Sequence, residues 1–293
     1  MRRWFFIPLK FVAWALARLP WPLVRGLGWG LGLFWFDIIR VRRRVVLANL
    51  AIAFPEMAAA DRRKLGRQVL VEFCTNLLQY AKLPFLTTEA MRELFVIEGW
   101  EHMERALAQG RGVLLLNLHL GNFALAMTAP NILGLGVKLN VITKRLRIGW
   151  ANDLWFGLRP RFGIASIDPR QSAFAVLKAL KRKEVVVFVL DQYTGPPHGI
   201  RSQFFGQEAW TGVGLAVMAE RSGAPVVPAY YPPLPDGRLR IVFEPPIPFV
   251  TAGDSQQVLA AMTQAYNDQL ERWVRLCPEQ WMWLHRRWKK RKY

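Results

Sequence analysis

Apolar side chains dominate the chain from Trp4 to Phe36, broken by Lys10, Arg18, Arg25 and the pair Pro20 and Pro22. A helix needs about 20 apolar residues to cross the hydrocarbon core of a bilayer. The stretch before Arg18 is shorter than that, and the prolines kink any continuous helix after it. This pattern predicts one tilted span with snorkelling arginines or two short helices lying in the membrane interface. Residues 1–40 therefore read as a membrane-associated segment ahead of one larger domain, 41–293. From Arg42 to Ala81 apolar residues recur at three and four, with Asp61, Arg62, Arg63 and Lys64 opening one helix and Pro84 stopping it. Five apolar runs follow, Gly112–Leu118, Val137–Thr143, Val185–Leu190, Pro225–Tyr230 and Arg240–Phe243. Near-continuous apolar runs of this length suit strands covered on both faces. Ser172–Arg182 and Gly212–Arg221 between them have helical spacing, and Gln256–Leu276 reads as one amphipathic helix. Strands alternating with helices predict an α/β fold, a mixed and largely parallel sheet flanked by helices.

Composition adds a lipid-facing surface to that picture. The chain is 52% hydrophobic, with 13 Trp and 18 Phe, above the roughly 45–50% of an ordinary soluble domain. Forty Lys and Arg against 21 Asp and Glu leave a formal net charge of +19, which draws a protein to polyanions. A Trp/Phe/Leu-rich beginning flanked by Arg2 and Arg3 and by Arg40, Arg42, Arg43 and Arg44 favours an anionic membrane over nucleic acid as that partner. Cys74 and Cys277 have no metal-ligand spacing, and no metal site is expected.

The most informative stretch is Leu114 to Ala124. A hydrophobic strand delivers His119, Gly121 permits a sharp turn, and Asn122 suits the N-cap of a following helix. Ligands of open α/β sheets bind at the carboxyl ends of strands, and histidine is suited to general-base work near neutral pH. Lys144, Arg145 and Arg147 follow a second strand, with Arg159 and Arg161 soon after, and such groups suit phosphates. Asp191 and Gln192 end a third strand, where an acid either orients substrate hydroxyls or caps the next loop.

These motifs, taken in order, resemble the bacterial lipid A late acyltransferases (lauroyl and myristoyl transferases), within the wider lysophospholipid acyltransferase group. The resemblance covers nearly the whole chain. It runs from Arg44–Glu56 through His119-Leu120-Gly121-Asn122-Phe123, Arg161-Phe162-Gly163, Asp191-Gln192 and Phe204-Phe205-Gly206, with Thr211 and Gly214, to the ending Pro278–Lys289. It implies acyl transfer, without a cofactor, from an acyl carrier protein or coenzyme A thioester to a hydroxyl of a lipid A precursor or related glycolipid. The implied place is the cytoplasmic face of a bacterial inner membrane. His119 would be the general base, with Asn122, Lys144, Arg161, Asp191, Gln192 and Arg201 as substrate-binding residues.

In the family, a His-x4-Asp/Glu motif pairs the base with an acid. Here the acidic position falls on Ala124. The motif therefore predicts a histidine without its acid, and a chain impaired by about 10²–10⁴ relative to Ala124→Glu. Either a degenerate natural member or an engineered acid-to-alanine substitution would account for it. Acylation of another lipid (a lysophospholipid, ornithine or inositol lipid), or lipid or carrier binding without turnover, are the competing readings. The Trp281–Lys292 segment mixes Trp with Arg and Lys, a composition suited to lipid head groups or to a disordered tail.

Overall fold

The computed structural model describes residues 6–144, 152, 156–169 and 172–289. Two short helices open it, α1 (Phe6–Arg18) and α2 (Trp21–Phe34), broken at Pro20 as the sequence predicts. A π-helical turn, Trp35–Ile39, leads to α3 (Arg43–Ala53) and the long α4 (Ala59–Lys82). Among the described residues no helix is long and apolar enough to cross a membrane.

One face of α2 is fixed on α4 by close backbone approach. Val24, Gly28 and Gly32, spaced by four, are buried. A Cβ on Gly28 would lie 2.1 Å from Thr75 Oγ1, and one on Gly32 would lie 2.4 Å from Val71 Cα. Only glycine permits that spacing. Gly32→Leu is expected to push α2 off α4 and cost about 1–3 kcal/mol. A urea midpoint in detergent equal to that of the parent would refute this packing.

Next come α5 (Thr88–Glu93), β1 (Phe95–Glu98), α6 (Trp100–Ala108) and β2 (Val113–Asn117). Two one-turn helices, α7 (Phe123–Ala126) and α8 (Ala129–Ile132), precede β3 (Leu139–Ile142) and β4 (Ile164–Ile167). The chain continues through α9 (Ser172–Lys181) and β5 (Val185–Val189) to a hairpin, β6 (Gly199–Phe204) and β7 (Gln207–Gly212). It closes with α10 (Gly214–Ser222), β8 (Val226–Tyr230), β9 (Leu239–Phe243) and α11 (Ser255–Leu276).

The main sheet has seven strands in the order β1-β9-β8-β2-β5-β3-β4. All neighbours are parallel except β8 and β9, which bears out the mixed, largely parallel sheet. Alternation along the strands divides the core. Leu114, Leu116, Val186 and Phe188 face a layer that includes Val46, Leu65, Ala179, Leu215 and Trp273. Val113, Leu115, Val185 and Val187 face a second layer with Met103, Leu125 and Ile132. The strands not foreseen are β1 and β4 at the sheet edges and the hairpin. Each carries exposed positions and so lacks the apolar run that marks β2 and β5.

Candidate active site

Strands β2 and β5 are neighbours, and Asn117 pairs with Val189. His119 and Asp191 each lie two residues beyond that pair, so the register sets them side by side. Asn117 fixes the end of β2, its side chain bonding to the Tyr231 hydroxyl and accepting from Leu118 N at 2.7 Å. The chain then turns at Gly121, with φ +60°, where a Cβ would stand 2.1 Å from the Tyr231 carbonyl oxygen. No other residue fits both that angle and that contact.

His119 Nδ1 is 2.8 Å from Asp191 Oδ1, and the His119 backbone N–H donates to Asp191 Oδ2 at 3.1 Å. The Trp281 indole N–H donates to the same oxygen at 2.7 Å. Asp191 is 2% exposed. Burial alone would raise its carboxyl, but the His119 charge and the hydrogen bonds from His119 and Trp281 hold it below the ordinary value. A carboxylate accepting at Nδ1 requires the proton there and leaves the Nε2 lone pair for a substrate proton. Gln192 Nε2 lies 3.4 and 3.5 Å from the two ring nitrogens, and the Phe123 ring meets the imidazole edge-on at 4.8 Å.

The sequence expectation that Ala124 leaves His119 without an acid is therefore corrected. Asp191, which was read as a substrate contact or loop cap, stands against His119 Nδ1 from the neighbouring strand. It is buried with three donors on its two oxygens, so it faces the histidine rather than a ligand. Ala124 instead lines an apolar cleft of about 100 Å³ beside His119, with Val69, Phe73, Leu77, Phe123 and Met282 among its walls. It also borders a smaller cavity shared with Tyr80 and Arg159.

The remaining candidates divide. Asn122 is the N-cap foreseen, accepting from Leu125 N at 3.3 Å, and its amide donates to the Asn76 carbonyl and to Gln79 Oε1, each at 3.0 Å. Its side-chain amide is bonded to protein, and the residue lines the cleft beside His119. Arg161 donates to the Pro84 carbonyl at 3.3 Å and does not line the cleft; Arg159 beside it borders the adjoining cavity. Arg201 lies on the hairpin, 3.5 Å from Glu208 and over the Trp210 ring, also off the cleft. Lys144 is exposed beyond β3. Arg145 and Arg147 lie outside the described residues.

Residues 281–289 of the C-terminal segment are an ordered part of the fold, with Trp281 and Trp283 both buried rather than free to reach head groups. Met282 N donates to the His119 carbonyl and Gly121 N to that of Gln280, each at 3.0 Å. Arg287, fully buried, donates to the Trp210 carbonyl at 2.6 Å, to Thr211 Oγ1 at 2.6 Å and to the Gln192 carbonyl at 3.3 Å. Burial pushes its guanidinium down to about 10, against the pull of Asp191. Trp281 and Arg287 are the site residues that the sequence reading missed.

Residues 1–290 match the family model described as bacterial lipid A biosynthesis acyltransferase. The chain is similar to the lipid A biosynthesis lauroyltransferase of Escherichia coli (strain K12), 29% identical over 96% of this chain and 90% of that protein. It is 26% identical to the palmitoleoyltransferase of the same organism, over 96% and 89%. It is 24% identical to the myristoyltransferase, over 89% and 80%. With a histidine at the carboxyl end of β2 and a match along almost its full length, the chain belongs to the bacterial lipid A biosynthesis acyltransferase family and is an O-acyltransferase.

Proposed function

We propose that this protein moves a fatty acyl chain from an acyl-carrier-protein or coenzyme A thioester to a hydroxyl of a lipid A precursor, with His119 as general base and Asp191 as its acid. The observation that carries the reading is the 2.8 Å contact between His119 Nδ1 and Asp191 Oδ1. His119 Nε2 takes the proton of the acceptor hydroxyl as its oxygen attacks the thioester carbonyl. The tetrahedral intermediate collapses with loss of the thiolate, which takes up the proton. Asp191 holds the imidazole in the competent tautomer and stabilises the imidazolium. Gln192, whose amide nitrogen lies 3.5 Å from His119 Nε2, donates to the oxyanion on this reading. The apolar cleft lined by Phe73, Leu77 and Ala124 takes the first carbons of the acyl chain.

The protein works at a membrane. Leu23, Leu27, Leu31 and Phe34 form an exposed stripe on α2, about a quarter-turn round from the face packed on α4. Phe11, Trp29, Ile38 and Ile39 are exposed as well. With helices of 13 and 14 residues, we place α1 and α2 in the interface, parallel to the surface. The free, buried cysteines Cys74 and Cys277 suit a reducing compartment, which supports the cytoplasmic leaflet of the inner membrane.

On this reading Ala124 does not disable the chain. Nδ1 already has its carboxylate, so Ala124→Glu has no vacant partner to supply and puts a charge in an apolar wall. We expect its rate to stay at or below that of the parent, in place of the 10²–10⁴ gain that the motif alone predicts. A radiolabelled acyl-transfer assay with acyl carrier protein and a lipid A precursor tests both points. No ester product from the parent chain would refute the function, and a large gain in Ala124→Glu would refute the role of Asp191.

A further inference from the structure

Five arginines and no carboxylate converge on one open cleft that shares no lining residue with the one beside His119. Arg40 and Arg42 come from the turn before α3, Arg43 and Arg44 from its first turn, and Arg286 from the far end of the chain. Val45 and Leu47 complete the lining, and the cleft has a volume of about 860 Å³. Asn49 holds the two segments together, its amide donating to the carbonyls of Trp283 at 2.8 Å and His285 at 2.6 Å.

A cluster of like charges in one cleft concentrates anions there. Asp37, the acid nearest in sequence, is spent on Arg67 at 2.9 Å and Arg63 at 3.9 Å. Arg40 and Arg43 donate to the backbone carbonyls of Asp37 and Phe36. Arg42, Arg44 and Arg286 have no ion-pair or hydrogen-bond partner for their side chains among the described residues. Burial and then the charges of Arg63 and Arg40 hold Arg43 below its ordinary value. The backbone is strained as well, with φ of 61° at Arg40 and 64° at Arg42, a region that costs a side-chain-bearing residue about 1–2 kcal/mol. No side chain caps α3 and no acid stands in its first turn, so its amide groups add to an anion site.

Two features select the anion. Ile38, Ile39 and Val41 alternate with these arginines and are 65%, 50% and 55% exposed. Aliphatic side chains thrust outward beside guanidinium groups put the cleft at the depth of lipid head groups. The cleft is also near the reaction. Met282 is bonded to the His119 carbonyl, and Arg286 follows four residues later, at most about 14 Å of chain.

We propose that this cleft binds a phosphate group of the lipid acceptor, holding the head group while its hydroxyl reaches His119. The assignment rests on the acyl-transfer reading for its ligand but not for its binding chemistry. Guanidinium pairs grip phosphate oxygens through charge-assisted hydrogen bonds. An acidic carrier protein has the same charge but gives no role to the outward aliphatic residues.

The test compares the full-length protein with Arg42→Gln/Arg286→Gln, both exposed sites, on phosphatidylcholine vesicles carrying the acceptor glycolipid with or without its phosphates. The parent is expected to prefer the phosphorylated lipid in both binding and acyl transfer, and the double variant to lose about ten-fold or more of that preference. An undiminished preference would overturn the proposal while leaving the acyltransferase reading intact. Arginine-dependent binding to phosphorylated vesicles without any acyl transfer by the parent would support the cleft and sink the acyltransferase reading. A rise in KM confined to the acyl-carrier donor would assign the cleft to the carrier protein and overturn the proposal. Competition by inorganic phosphate at concentrations comparable with the lipid would mark a free-anion site, which also overturns it.

Discussion

His119→Asn is expected to lower kcat/KM for acyl transfer by about 10²–10⁴, the usual worth of a general base. Asparagine is the informative replacement. Its amide can occupy the Nδ1 position and keep a donor on Asp191 Oδ1, while nothing remains at the Nε2 position to take the proton. The backbone N–H of residue 119 still donates to Asp191 Oδ2, as does Trp281, so the buried carboxylate stays satisfied. His119→Ala removes the base and that donor together. It should match the asparagine variant in rate but fall below it in stability, because a buried carboxylate short of one partner costs about 1–3 kcal/mol. The pair of variants thereby separates chemistry from folding. Retention of activity within ten-fold in His119→Asn would remove the histidine from the mechanism.

Both members of this pair were visible in the sequence, and their partnership was not. Leu114–Leu118 and Val185–Leu190 each present an apolar run ending in a polar residue, which placed His119 and Asp191 at carboxyl ends of buried strands. That β2 and β5 lie edge to edge, with Asn117 opposite Val189, is a pairing across 72 residues and leaves no local trace. Motif spacing looked for the acid five residues on, at Ala124, and found none. The tail misled for a related reason. Trp beside Arg and Lys describes a head-group belt and a buried network equally well, because an indole has an apolar body and one N–H to satisfy in either setting. Here the Trp281 and Trp283 N–H groups are satisfied by Asp191 and the Pro278 carbonyl. The sharing of α2 between α4 and the exposed stripe did have a signal, the small residues Gly28 and Gly32 four apart, which the apolar count passed over. Arg201 was placed by motif alone, and the hairpin carries it off the cleft.

Asp191→Asn should cost more than any other isosteric change at the site, about 10⁴ in kcat by analogy with the acid of a serine-protease triad. The carboxylate accepts two donors at Oδ2, from the His119 backbone and Trp281, and one at Oδ1, from the His119 ring. An asparagine can keep its single carbonyl oxygen on the first two only by turning its amide toward Nδ1. The ring must then accept at Nδ1 and carry its proton on Nε2, which is the tautomer that cannot serve as base. Nitrogen chemical shifts of His119 read this directly, and a merely structural role for Asp191 would lower stability without moving the proton. Acid stability gives a second reading. A carboxylate held below its ordinary value stabilises the fold above the unfolded-state pKa and loses that contribution as pH falls through the lowered native value. The asparagine variant should therefore show a shallower loss of stability on the acid side than the parent. Ala124→Glu in the Asp191→Asn background then asks whether an acid five residues beyond His119 can do the work of one from the adjacent strand. Recovery of rate in the double variant would show the two positions to be alternative sources of one carboxylate. A parent-like rate in Asp191→Asn alone would end the case for the pair.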